Sequence, residues 1–141
     1  MSWVEPKTNW NGDYDHTGKY IGDKFSATDY NRISNNIKYL YDKSLFLYNK
    51  YEVAPTGVKS FASYLFAEDI NNLQNVLETI DINSVNVIDR PFPTYVANGR
   101  TMTYEELNFL ESAILDIYYR LESEYEGRNK FTFLLGERGG F

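Results

Sequence analysis

One short pattern occurs three times in this chain at nearly constant intervals, and it limits the fold more than any other feature. Asp29-Tyr30-Asn31-Arg32-Ile33, Asp69-Ile70-Asn71-Asn72-Leu73 and Glu106-Leu107-Asn108-Phe109-Leu110 each read acid, apolar, Asn, any residue, apolar. The interval is 40 residues between the first two copies and 37 between the last two. Later apolar positions keep it: Ile37, Leu77 and Ile114 align, as do Leu40, Ile80 and Ile117. A serine or threonine three residues before an acid is a capping box, in which hydroxyl and carboxylate each take a free backbone amide. Ser26 with Asp29 and Thr103 with Glu106 fit it; the middle copy has Phe66 at the cap position. Asp69 and the other two acids stand in a first helical turn, where they also favour the helix dipole. The Asn two residues later, at 31, 71 and 108, is placed to reach backbone groups of the segment entering its helix.

Behind each start runs a stripe at spacings of three and four. Tyr30, Ile33, Ile37, Leu40, Tyr41, Ser44, Leu47, Tyr48 and Tyr51 form the first; Ile70, Leu73, Val76, Leu77 and Ile80 the second; Leu107, Leu110, Ile114, Ile117, Tyr118 and Leu121 the third. This is helical period, so helices are expected at about 26–51, 66–81 and 103–125. Pro55 and Gly57 end the first, and Gly127 is the natural terminator of the last. Helices with one apolar face bury it against one another. The expected fold is therefore mainly α: a three-helix bundle at 26–127 built from a degenerate helical repeat. Residues 1–25, broken by Pro6, Gly12, Gly18 and Gly22, read as an extended arm that packs either on its own bundle or on a neighbour and is not folded before assembly. Between the second and third helices, Pro91 and Pro93 impose a surface loop. Phe131–Leu135 followed by Gly136, Gly139 and Gly140 reads as a short strand and Gly-rich tail within 128–141.

Composition narrows function. At 141 residues the chain is one domain, and without cysteine it has neither disulfides nor thiolate chemistry. The formal charge of −6 disfavours nucleic acid as a partner. No window approaches the roughly 20 apolar residues of a membrane span, and the start lacks a signal-peptide pattern. The chain is thus expected to be made in a cytoplasm. Aromatic residues make up 17%, including 13 Tyr, which suits both core and protein interface.

No constellation carries catalysis. Asp13, Asp15, Thr17 and Gly18 match the first half of an EF-hand loop, but the twelfth position is Lys24, a cation where the bidentate ligand belongs. The reading is a solvated turn, with no metal and no cofactor. His16 is the only histidine, so sites needing a pair are excluded, and no nucleophile motif accompanies it. Gly99-Arg100 and Gly139-Gly140 lack phosphate-loop spacing. Glu105 with Glu106 and Glu122 with Glu124 read as a solvated helix face. The chain is expected not to be an enzyme.

Three features carry a resemblance to a family: Trp3 with Pro6-Lys7-Thr8-Asn9-Trp10, then Asp29-Tyr30-Asn31-Arg32-Ile33 with Asn36, then the aromatic run from Phe131 to the Gly-Gly-Phe end at Phe141. In these the chain resembles small phage and prophage structural proteins of low-GC Gram-positive bacteria. The resemblance implies a virion component of a tail or baseplate, made in the bacterial host cytoplasm, that associates with itself and with other virion proteins. It implies no catalytic residue. The aromatics hardest to bury in a small bundle, Trp3, Trp10, Phe92, Tyr95, Phe131, Phe133 and Phe141, are the expected partner-binding residues, as anchors from terminal arms. Two other readings stand beside this one: a module recognising host cell-surface saccharide by aromatic stacking, and a small prophage-encoded regulator or inhibitor.

Overall fold

The computed structural model describes residues 3–13, 15–19, 21–23, 25–48, 50–53, 67–96 and 102–137, with side chains through Gly127. Three helices follow in order: α1 Ala27–Leu47, α2 Ala67–Ile82 and α3 Tyr104–Glu137. They pack as a bundle, and among the described residues there is no strand. The capping boxes are formed at both expected sites. The Ser26 hydroxyl accepts from the Asp29 amide, and Asp29 Oδ2 accepts from the Ser26 amide at 2.9 Å. Thr103 and Glu106 make the same reciprocal pair at 3.1 and 2.9 Å.

The helices run parallel. Between α1 and α3, Arg32 meets Glu111, Tyr39 meets Glu122, and Phe46 meets Tyr125, so numbers rise together. The charge of Asp69 is felt by Tyr30, which sets the first turns of α1 and α2 side by side. Parallel helices need a long return after each one. The return after α2 runs back along α2 itself. Val87 and Ile88 donate to Asp81, Pro93 accepts from Gln74, and Tyr95 is held by Asn71. The return after α1 begins likewise: the Tyr41 hydroxyl donates to the Tyr51 carbonyl at 2.6 Å, and the Ser44 and Tyr51 hydroxyls are hydrogen-bonded. Tyr51 thus belongs to the returning segment. Helical spacing put it on the α1 stripe, but α1 ends at Leu47 and Tyr48 is already extended.

The core holds Ile33, Ile37, Leu40, Leu73, Leu77, Ile80, Leu110, Ile114, Ile117 and Leu121, all without exposure, from the three stripes. Trp10 and Phe92, outside the helices, complete it.

Two expectations are corrected. The separate N-terminal arm is not supported. Residues 3–10 pack on the bundle, with Pro6 and Trp10 buried. After them the backbone folds back, with Asp23 donating to Asn11, Ile21 to Asp13 and Asp15 to Lys19. Two Trp side chains are too apolar to leave in water when a groove in the same chain accepts them. The terminal strand is not supported either: α3 continues through Gly127 and through 131–135 to Glu137. A lone strand has no edge to pair with, whereas a helix satisfies its own amides, and no proline follows Pro93 to stop it. One Gly inside a helix costs only about 1 kcal/mol, too little to end it.

Candidate functional site

The most elaborate polar site lies where the N-terminal segment meets α1 and α3. Glu111 is wholly buried on α3. Its carboxylate accepts from Arg32 Nη2 at 2.6 and 2.7 Å, from the Lys7 amide at 3.1 Å, and from Trp10 Nε1. Arg32 also bridges to Asp29 at 2.9 Å, which orients the guanidinium from the first turn of α1. A buried carboxylate is tolerable only with such partners. Here they come from two separate parts of the chain, the N-terminal segment and α1, and both oxygens are committed as acceptors.

Around this centre, asparagines grip extended backbone. Asn108 accepts from the Trp10 amide at 2.7 Å and donates to the Trp10 carbonyl at 3.0 Å. Asn36, fully buried on α1, does the same to Val4, at 3.1 and 2.7 Å. Asn71 does the same to Tyr95, at 2.8 and 2.7 Å. A carboxamide matches one residue's N–H and C=O as a neighbouring strand would, so each pincer replaces one rung of a sheet.

The repeat now has a structural meaning. The interval of 37 residues carries Asn71 onto Asn108 and Gln74 onto Glu111. Asn71 and Gln74 hold the strap that follows α2, through Tyr95 and Pro93. Asn108 and Glu111 hold the N-terminal strap, through Trp10 and Lys7. The acid of each copy caps its helix, as Asp29 and Glu106 do, while Asp69 stands in the first turn of α2. In the second and third copies the asparagine holds a strap running alongside its helix, through Tyr95 and Trp10. Asn31 keeps the position in α1 and is half-buried.

Of the aromatics expected to bind partners, four lie among residues with described side chains. Trp10, Phe92 and Tyr95 are buried within the chain. Trp3 stacks on Tyr118 with centroids 3.9 Å apart. Phe131 and Phe133 lie on the last turns of α3, where side chains are not described, and Phe141 is outside the described residues. The turn at Asp15 has no metal geometry: its carboxylate accepts from the Thr17 hydroxyl at 2.6 Å and from the Thr17 and Lys19 amides. These bonds, that of the Thr17 hydroxyl first, hold Asp15 below the usual carboxylate range. Gly18, with φ +86°, supplies the left-handed residue that the turn needs. Among the described residues no His, Cys, Asp and Glu group could hold a metal ion, and no helix is long and apolar enough to cross a membrane.

Sequence reasoning missed Glu111, and it noted Arg32 and Asn36 only within a motif. The available signal was position: Glu111 is four residues after Leu107 and three before Ile114, on the inward stripe, where a charge needs a partner.

At the opposite end of the bundle two apolar side chains are open to solvent. Phe46 at the end of α1 and Ile82 at the end of α2 are 72% and 71% exposed. Tyr125 lies 5.6 Å from Phe46, with Lys43 over its ring at 4.0 Å. Tyr39, Asp42, Lys43, Phe46 and Tyr125 line a shallow groove there. Past Tyr125, α3 runs on to Glu137, about 18 Å at 1.5 Å per residue. No protein-family model, curated protein or solved structure matches this chain.

Proposed function

We propose that this protein is a non-enzymatic structural protein that works by binding other protein chains. On the resemblance of its Trp3 to Trp10 segment and its first helix start, we place it in the tail or baseplate of a phage virion. The observation that carries the binding role is the far end of the bundle. There Phe46 and Ile82 are open to solvent, and α3 continues past the ends of α1 and α2 with no helix of the described residues beside it. That continuation carries Phe131, Phe133, Leu134 and Leu135. Exposed apolar residues grouped at one end mark a docking surface. The partners are further copies of this chain and neighbouring virion proteins. A saccharide platform needs open ring faces, and Trp10, Phe92 and Tyr95 have none to offer.

Two measurements test this reading. Light scattering on the purified chain and on Phe46→Asp with Ile82→Asp should show an assembly that the charged variant loses while keeping its melting temperature. A wild type that stays monomeric and ignores its neighbours in a virion reconstitution would refute the docking role. Mass spectrometry of purified particles from the producing host should find the chain in stoichiometric amount; its absence there would remove the virion assignment.

A further inference from the structure

We infer that the continuation of α3 past the bundle is a self-association element, which pairs antiparallel and two-fold with the same segment of a second copy. The inference rests on the assembly reading above and names its partner and register.

The bundle side of α3 does not run on into the continuation. Leu110, Ile114, Ile117 and Leu121 are wholly buried. The next positions of that spacing are Tyr125, Arg128 and Thr132, so the apolar line stops there. A second line starts on another side of the helix. Arg120, Glu124, Gly127, Phe131 and Leu134 follow at intervals of four, three, four and three residues, the spacing of a coiled-coil seam. Arg120 and Gly127 are exposed, and nothing stands within 4 Å of where a Gly127 side chain would project. By register, Phe131 and Leu134 therefore belong to a face that the bundle leaves open. A helical segment of this length is marginal in water without packing.

The seam complements its own reverse. Turned antiparallel about Phe131, it sets Gly127 opposite the partner's Leu134 and Phe131 opposite the partner's Phe131. Glu124 falls opposite Arg138, the next seam position in the sequence. A small residue meets a large one, a ring meets a ring, and an acid meets a cation. A parallel pair would set Glu124 on Glu124 and Gly127 on Gly127, with repulsion in one layer and a gap in the other. A two-fold contact requires a patch that complements itself, and only the antiparallel register supplies one. The shared span, 124–138, is about 21 Å long at 1.5 Å per residue. In this register the two far ends face one another. The tip of each α3 arrives at the level of the other copy's Tyr125, beside which Phe46 stands, so one joint takes in both features.

Without native cysteine, one label can be placed on the full chain. Ser123 is exposed on α3, just before the seam. Ser123→Cys carries a spin label; pulsed electron resonance reads the distance between labels, and light scattering reads the mass. The expected result is a dimer with labels about 25 Å apart, from the helix rise and a helix spacing of roughly 8–10 Å. Leu134→Glu should give a folded monomer at concentrations where the wild type is dimeric. Labels about 10 Å apart would mean parallel helices and overturn the register. A dimer that survives Leu134→Glu but is lost in Phe46→Asp with Ile82→Asp would overturn the pairing and leave the assembly reading standing. A wild-type monomer that binds another virion protein would do the same. A monomer that binds nothing would overturn both.

Discussion

At Glu111 one buried carboxylate joins the N-terminal strap, α1 and α3. Removing it leaves the Arg32 guanidinium with Asp29 as its remaining ion-pair partner, and two strap donors unpaired. Glu111→Ala is therefore expected to cost about 3–5 kcal/mol, the usual result of breaking a buried pair from one side. Asn108→Ala strands the Trp10 N–H and C=O and should cost about 2–3 kcal/mol. Urea midpoints would measure both, and a loss under about 1 kcal/mol for Glu111→Ala would mean that water satisfies the site. Tyr39 offers a second test. Burial first, then the Glu122 carboxylate that accepts its hydroxyl proton at 3.1 Å, push it up to about 12 from an ordinary 10.0. Burial raises Tyr30, Tyr51 and Tyr118 as well. A raised tyrosine favours the neutral form in the fold. Its stabilising contribution is complete below pH 10 and is lost as pH climbs through the folded value. Ultraviolet titration should show phenolate appearing late, together with loss of helix. Free ionisation near the ordinary value with the fold intact would contradict the packing.

At the scale of elements, α3 is the surprising one. Its sequence holds a Gly where a helix commonly stops, yet it runs 34 residues. Nothing stands within 4 Å of where a Gly127 side chain would project, so Gly127→Ala meets no clash. It is expected to stabilise by about 0.5–1 kcal/mol through the entropy of the unfolded chain. If Gly127 instead ended the helix in left-handed geometry, the same change would destabilise, and a thermal melt separates the two signs. Gly12 is the opposite case. A side chain there would enter the Tyr104 ring, whose hydroxyl donates to the Asp23 carbonyl at 2.8 Å. Here glycine is required for close approach, not for backbone freedom. The caps of α1 and α3 and the stripes of all three helices were readable because hydrogen bonding and period within one helix are local. The end of α3 was misread because Phe131–Leu135 has good strand residues, and nothing local says that no edge awaits them.

For the whole molecule, the strap, α1 and α3 should melt as one unit, since Glu111 links all three. Both tryptophans, Trp3 and Trp10, lie in the strap. Indole fluorescence thus reports strap release, and circular dichroism at helical wavelengths reports the bundle. The two transitions are expected to coincide, the signature of a single cooperative step. A fluorescence change well before helix loss would mean that the strap leaves a standing bundle.

Sequence alone determined the three helix starts, the capping boxes of α1 and α3, the buried stripes and the bundle class, because each depends on residues within a turn or two of one another. It also marked Asn71 and Asn108 as equivalent, through a constant interval, without saying what they hold. Tertiary structure alone decided that the helices run parallel, that the N-terminal segment lies in the α1–α3 groove, and that Glu111, Arg32, Lys7 and Trp10 form one site. Those contacts at Glu111 join positions 79 to 104 residues apart. No local pattern encodes such a meeting; it follows from which faces remain to be covered once the helices have packed.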